Sequence, residues 1–258
     1  MKNLKIVFTV ILILGGLSSH AQYARFITEG VIEFEKSVNM YALIKKDIDK
    51  QNESYMLPAF EQYRKSNPQF KKLKSVLTFS KDRTLFKPVE ETESNQGFFG
   101  NNPLVSQNNS IYTNLSAASS ITQKKVYEES FLVKDSTRKI NWKITSEMRD
   151  IAGYQCRRAN AVIMDSIYVV AFYTDKIPVS GGPESFTGLP GMILGVALPH
   201  ENITWFATKV LDQSVPPTSM VAPSKGKPMN NKQLHATIQS ALKDWGEYAS
   251  AALKAFLL

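Results

Sequence analysis

The chain has 258 residues, with 31 Lys and Arg against 23 Asp and Glu and a single cysteine. One cysteine excludes an internal disulfide framework, and this length can bury a core that needs no covalent staple. The net charge of +8 is spread thinly, its densest runs being Lys71-Lys72-Lys74 and Arg157-Arg158. No nucleic-acid motif accompanies it, so the excess reads as solvated surface and no nucleic-acid partner is expected.

Residues 1–21 read as a signal peptide. Lys2 and Lys5 open it, residues 6–17 form an apolar run, and Ser19-His20-Ala21 fits the small-x-small cleavage pattern. The run is shorter than the roughly 20 residues a membrane span needs. No cysteine follows it to carry a lipid, and no later stretch is apolar enough to span a membrane. The expectation is an exported protein of the periplasm or cell surface.

Residues 22–214 are predicted to form an antiparallel β domain. Over residues 31–42 the even positions Ile32, Phe34, Val38, Met40 and Ala42 are apolar, with Lys36 the exception, and the odd positions are mostly polar. That alternation marks a strand with one wet face. A short helix is predicted over 58–63. Residues 73–79 and 84–86, joined at Asp82-Arg83, form a hairpin. Residues 88–110 shift to Glu, Asn, Gln, Ser and Gly around Phe98-Phe99, a loop long enough to serve function. Strands are then predicted over 125–133 and 142–145, linked by a polar turn at 134–138. Two hairpins follow, 157–164 with 167–173 and 192–198 with 203–211. The resulting fold class is mainly β (α+β): an antiparallel twisted sheet or open β-barrel with a C-terminal amphipathic helix.

Residues 215–229 carry Pro216, Pro217, Pro223 and Pro228 and read as a linker. Asn230 with Gln233 forms a capping-box pattern. Leu234, Ile238, Leu242, Trp245, Ala249, Leu253 and Phe256 then recur at helical spacing over 230–258, with a break at Gly246. The apolar stripe is expected to pack on the sheet.

The most informative stretch is Gly188-Leu189-Pro190-Gly191 with Met192-Ile193-Leu194, a turn of restricted shape feeding a buried strand. Upstream lie Trp142-Lys143-Ile144, Gly153-Tyr154-Gln155-Cys156, Phe172-Tyr173-Thr174, Ile177-Pro178, Gly182-Pro183 and Phe186. In order and spacing these pieces resemble the GLPGLI family, secreted proteins of Bacteroidetes-type bacteria with no defined activity. Met192 stands where that family usually has leucine, a change that keeps volume and apolarity. Asp135-Ser136-Thr137 and Asp165-Ser166-Ile167 resemble the O-glycosylation acceptor pattern of exported Bacteroidetes proteins, which makes Ser136 and Ser166 candidate acceptors.

The chemistry offers few catalytic candidates. Cys156 with His200 or His235 could pair as nucleophile and base, and Arg157 and Arg158 could lower a thiol pKa. Its setting equally suits a small buried hydrophobe. The two remaining histidines are far apart in sequence and no metal-ligand spacing occurs, so neither a metal nor a cofactor is expected. Met220 and Met229 are not clustered as soft ligands. The Gly188–Gly191 turn lacks the lysine and hydroxyl of a phosphate loop. It either holds two strands in register or rims a pocket lined by Tyr173, Pro183, Phe186 and Met192.

The reading that follows is an envelope binding protein or carrier for a hydrophobic ligand, a peptide or an outer-membrane partner. The alternatives are a Cys156-dependent enzyme and an interaction protein docking through residues 88–110.

Overall fold

A computed structural model describes residues 26–90, 99–100, 102–106, 109–246 and 248–258. The expected signal peptide and Phe98 lie outside the described residues. The fold is a twelve-stranded sheet that does not close into a barrel. Its strands are β1 (Glu29–Asn39), β2 (Phe70–Ser80), β3 (Arg83–Pro88), β4 (Asn109–Asn114), β5 (Ser119–Val126), β6 (Glu129–Ser136), β7 (Lys143–Ile151), β8 (Tyr154–Ile163), β9 (Ile167–Thr174), β10 (Met192–Leu198), β11 (Ile203–Asp212) and β12 (Lys227–Met229). They lie in the order β12-β6-β5-β4-β3-β2-β1-β11-β10-β9-β8-β7. Two antiparallel meanders, β1 to β6 and β7 to β11, are thus fused where β1 pairs with β11. Among the described residues β12 alone pairs in parallel, against β6.

One face of the sheet is covered. Along β1, Ile32, Phe34, Lys36 and Val38 are all under a tenth exposed, which is the period-2 pattern of the sequence carried into burial. Lys36 is opposite Trp205 and Val38 opposite Ile203 on β11. Phe79, Leu77, Val196, Leu198 and Ile203 join the same core. Each such side chain stabilises the fold by about 1.5–3 kcal/mol on burial.

The helices are α1 (Met40–Lys46), α2 (Glu53–Ser66), the single turn α3 (Pro103–Ser106), α4 (Asn231–Ala241) and α5 (Tyr248–Leu257). Asn230 caps α4 as its sequence predicts: Gln233 N–H donates to Asn230 Oδ1 at 2.8 Å, and Asn230 N–H donates to Gln233 Oε1 at 2.9 Å. Gly246, at φ +58°, lies between α4 and α5. Leu234 and Ile238 of α4, Leu242 just after it, and Ala252 and Phe256 of α5 bury against Val126, Phe131 and Val133 in a second core, distinct from the main one.

Several boundaries differ from the sequence pattern. β1 stops at Asn39, whose side chain accepts from Ala42 N–H and starts α1, so the apolar residues 40–44 turn helical. α2 is fourteen residues long and runs through Pro58, which reads in sequence as a boundary. The predicted strand over 125–133 is in fact the β5–β6 hairpin, turning at Tyr127 with φ +52°. Residues 134–136 continue β6 where a turn is expected. Part of the proline-rich linker, residues 227–229, forms the parallel edge strand.

The glycine signature is conformational. Gly191 has φ +150°, and a Cβ there would sit 2.1 Å from the Thr174 carbonyl oxygen. Backbone cannot yield that much, so Gly191→Ala is expected to destabilise by about 2–4 kcal/mol. Gly153→Ala, at φ +84° with open space around it, should cost only about 1 kcal/mol, the price of a left-handed residue. Paired urea denaturation curves check both; equal losses at the two positions would refute the crowding argument.

Candidate functional site

The segment between β9 and β10 folds back over the covered face through a chain of tight turns. Val179 N–H donates to the Ile177 carbonyl and Gly181 N–H to the Val179 carbonyl, each at 2.8 Å. Met192 N–H then returns to Ile177 at 2.9 Å and Ile193 N–H to Gly181 at 2.8 Å. Trp142 Nε1 donates to the Thr187 carbonyl at 2.9 Å, and Gly188 N–H donates to Ser180 Oγ at 3.1 Å. This frame holds Glu184 at φ +50°, a strained angle for a non-glycine residue. It also sets Phe186 against Trp205, with ring centroids 6.2 Å apart.

Glu184 belongs to a charged cluster on the inner side of the sheet. Lys36 from β1 is 7% exposed; its Nζ donates to the Leu104 carbonyl at 2.7 Å and lies 5.1 Å from the Trp205 ring. Lys124 from β5 is 6% exposed and donates to the Phe256 carbonyl at 2.8 Å. Arg138 Nη2 donates to the Leu257 carbonyl at 2.6 Å, while its Nη1 is shielded from solvent and has no acceptor. Asn109 Nδ2 donates to Glu184 Oε2 at 3.0 Å. Burial pushes the Lys124 ammonium down to about 7, against the pull of Glu184 and with the push of Arg138 and Lys36. Burial lowers Lys36 as well, and it raises the Glu184 carboxyl, which both lysines draw back down. A cavity of about 20 Å³, room for one water, lies among Lys36, Asn109, Glu184, Phe186, Trp205 and Leu258.

A larger opening lies on the other flank of α5. One cleft of about 860 Å³ is walled by Leu43, Leu104, Ile167, Trp245, Tyr248 and Ala252, with Lys46, Asp47, Glu201, Asp244 and Lys254 at its polar positions. A second, of about 320 Å³, lies among Met40, Ile44, Asn52, Tyr55, Met56 and Phe99. The two share Leu43, Asp47, Asn102 and Tyr248, so they form one continuous groove. Asn52 Nδ2 donates to the Tyr248 hydroxyl at 3.4 Å and bridges the groove.

The residues singled out in the sequence fall in different places. Tyr173, Pro183 and Met192 are buried in the body of the protein and do not line the groove. Phe186 borders the small inner cavity and does not line the groove. Phe99 does reach the groove, held edge-on to Tyr63 at 5.5 Å. Gly188, Leu189, Pro190 and Gly191 shape the turn that carries Glu184, and they rim neither opening. Ser136 and Ser166 are exposed, in keeping with an acceptor's need for access. Cys156 is 0% exposed, its thiol donating to the Tyr154 carbonyl at 3.4 Å. Burial drives that thiol up to about 12, the reverse of an activated nucleophile. His200 lies exposed against Tyr168 and His235 exposed on α4. The structure therefore gives Cys156 the buried-hydrophobe role. Among the described residues no three His, Cys, Asp or Glu side chains gather as a metal site, and no helix is long and apolar enough to cross a membrane.

Fold and site together define a mainly β protein whose open sheet carries a helix over one face. A family model described as a protein of unknown function (Porph_ging) matches residues 161–195, from β8 through the glycine turn into β10. That match supports a Bacteroidetes-associated family and does not carry the GLPGLI name. No match is found among curated proteins. Among solved structures, PNGF-II in its P21 space group is similar at 16% identity with a TM-score of 0.50 over 81% of this chain and 33% of that one. PNGF-II in its C2 space group is similar at 14% identity with a TM-score of 0.51, over 80% and 31%. The chain thus spans about a third of the length of these structures, and the likeness is one of fold alone.

Two outcomes follow. A Lys124 ammonium near 7 in the folded state and near 10.5 in the unfolded one means that the unfolded chain holds the extra proton between those values. Stability should therefore rise with pH across that window and carry the full burial penalty below it. Lys124→Met should flatten the rise without abolishing it, since Lys36 shifts the same way; an unchanged slope in denaturation midpoint against pH would contradict the cluster. Cys156 should resist iodoacetamide in the native protein and react on unfolding, read by intact mass; rapid native labelling would reopen the nucleophile reading.

Proposed function

We propose that the chain is a binding protein of the bacterial envelope, holding a hydrophobic ligand or a peptide in the groove beside α5. The continuous opening shared by Leu43, Asp47, Asn102 and Tyr248 carries this reading. Its larger cleft, about 860 Å³, is in the range of pockets for small ligands, and an apolar lining with a few charges fits an extended peptide as well. Trp245 and Tyr248 supply amphipathic rings, 44% and 48% exposed, of the kind that anchor binding surfaces. Support for export comes from the leader pattern at residues 1–21, and support for a secreted GLPGLI-type protein from the order of motifs between Trp142 and Leu211. An outer-membrane partner fits the same groove. On this reading Cys156 has no part in function, and Ser136 and Ser166 are accessible glycan acceptors.

The test is a pull-down of the protein from envelope extract followed by native mass spectrometry. A lipid, peptide or outer-membrane protein should be retained, and Trp245→Ala with Tyr248→Ala should reduce retention about tenfold or more, the loss of one to two anchor contacts. Retention that survives both changes would place binding elsewhere; an empty native protein would overturn the reading.

A further inference from the structure

The geometry points to a second binding site, inside the sheet beneath α5, for an oxyanion group such as a carboxylate or a sulfate-type ester. Lys36 lines the small cavity there, Lys124 and Arg138 donate to the end of α5 beside it, and the carbonyls of Leu104, Phe256 and Leu257 stand in for the ligand's oxygens. This goes beyond the groove reading, because the site lies on the inner side of the helix and uses different residues.

Four observations carry it. First, the cluster sets two lysines and an arginine against one carboxylate, Glu184. Buried charge of one sign is expensive and contributes little to stability even when partnered, so residues of this kind kept in a core argue for a ligand. Second, every acceptor seen by the three cations is a backbone carbonyl of the covering segments. Leu104 belongs to α3, while Phe256 and Leu257 belong to α5. Three neutral oxygens thus face three cationic donors, a place where a charged acceptor would bind about twice as strongly. Third, Arg138 Nη1 is shielded with no acceptor while Nη2 holds the Leu257 carbonyl, so one prong of the fork that grips carboxylate or sulfate is unused. Fourth, α5 is placed to move. It packs through Ala252 and Phe256 on the second core, meets the main one at Ala255 beside the small inner cavity, follows Gly246 at φ +58°, and borders the open groove. The inner cavity and the groove share Leu104, Ala255 and Leu258, so those residues separate the site from solvent.

An anion that displaces the α5 carbonyls restores the Lys124 proton that burial drives off. Glu184, Arg138 and Lys36 are the charged groups facing Lys124, and only Glu184 favours that proton. Anion affinity should therefore strengthen as pH falls through about 7.

The experiment titrates sodium sulfate and sodium acetate into the full chain by calorimetry, at about pH 6 and about pH 8, on either side of the Lys124 shift. Phe256→Ala loosens α5 through its packing on Tyr127 and leaves the cations intact. It should raise affinity for the preferred anion about tenfold, by lifting the cost of opening. Leu253→Ala, a milder change in the same packing, serves if the first variant fails to fold. Adding Lys124→Met to either should abolish binding while leaving thermal stability equal or higher. Hydrogen exchange in α5 should quicken when the anion binds, the opposite of ordinary ligand protection. Preference for sulfate over acetate would assign a sulfate-ester or phosphate-like group, and the reverse a carboxylate. No binding in the loosened variants, binding indifferent to Lys124→Met, or slower exchange in α5 would each overturn the site.

Discussion

The pairing of β1 with β11 is the joint on which the molecule depends. Each meander on its own is a run of neighbouring hairpins, and nothing else in the strand order connects them. The joint brings Lys36 opposite Trp205 and Val38 opposite Ile203, so residues from the two ends of the sequence meet in one core. A register shift between Glu33 and Phe34 bends β1 there. Bulges of this kind increase local twist, which lets a long sheet curve over its own core. The inner face that results is where the loop carrying Glu184, the turn α3 and the end of α5 all arrive.

That convergence explains why charged side chains persist in the interior. Lys36 and Lys124 come from strands on opposite sides of β2 to β4, and Glu184 from a loop of the other meander. Lys36 and Lys124 are satisfied by backbone that lies over them, and Glu184 accepts from the Asn109 side chain of β4. A core built for stability alone would use apolar residues at those three positions. The glycine signature serves the same end indirectly. It permits the close return of Gly191 to Thr174 and of Gly182 to Ile193, and so fixes the loop that presents Glu184 and Phe186.

Much of the fold was legible in the sequence, and the reasons are local. β10 spans the apolar run 192–198 as read, because an unbroken hydrophobic stretch after a glycine turn has few alternatives. The Asn230 cap was legible because both of its hydrogen bonds lie within four residues. β5 was not, since Thr122, Gln123, Lys124 and Lys125 hide a buried lysine inside a polar run. The Tyr127 turn was missed because a tyrosine with positive φ gives no composition signal. The site was half legible. Lys36 interrupts an otherwise apolar alternation, and that interruption was the one trace of the interior cluster. Glu184, Arg138 and Lys124 acquire their meaning only from contacts across 75 to 132 residues of sequence, which no local pattern encodes.

The two edges of the sheet show how so broad a β surface stays single. An open strand edge offers unpaired amides and carbonyls to any chain of similar shape. At one end the edge is β12, three residues long, whose central Pro228 has no N–H to give. At the other, β7 loses register against β8 between Ile144 and Met148, and the Arg158–Glu147 ion pair at 2.6 Å spans the same stretch. A second copy approaching either edge meets a proline or a kink in place of a ladder. Resistance to fibre growth is thereby built into the outline of the sheet, independent of anything bound on its face.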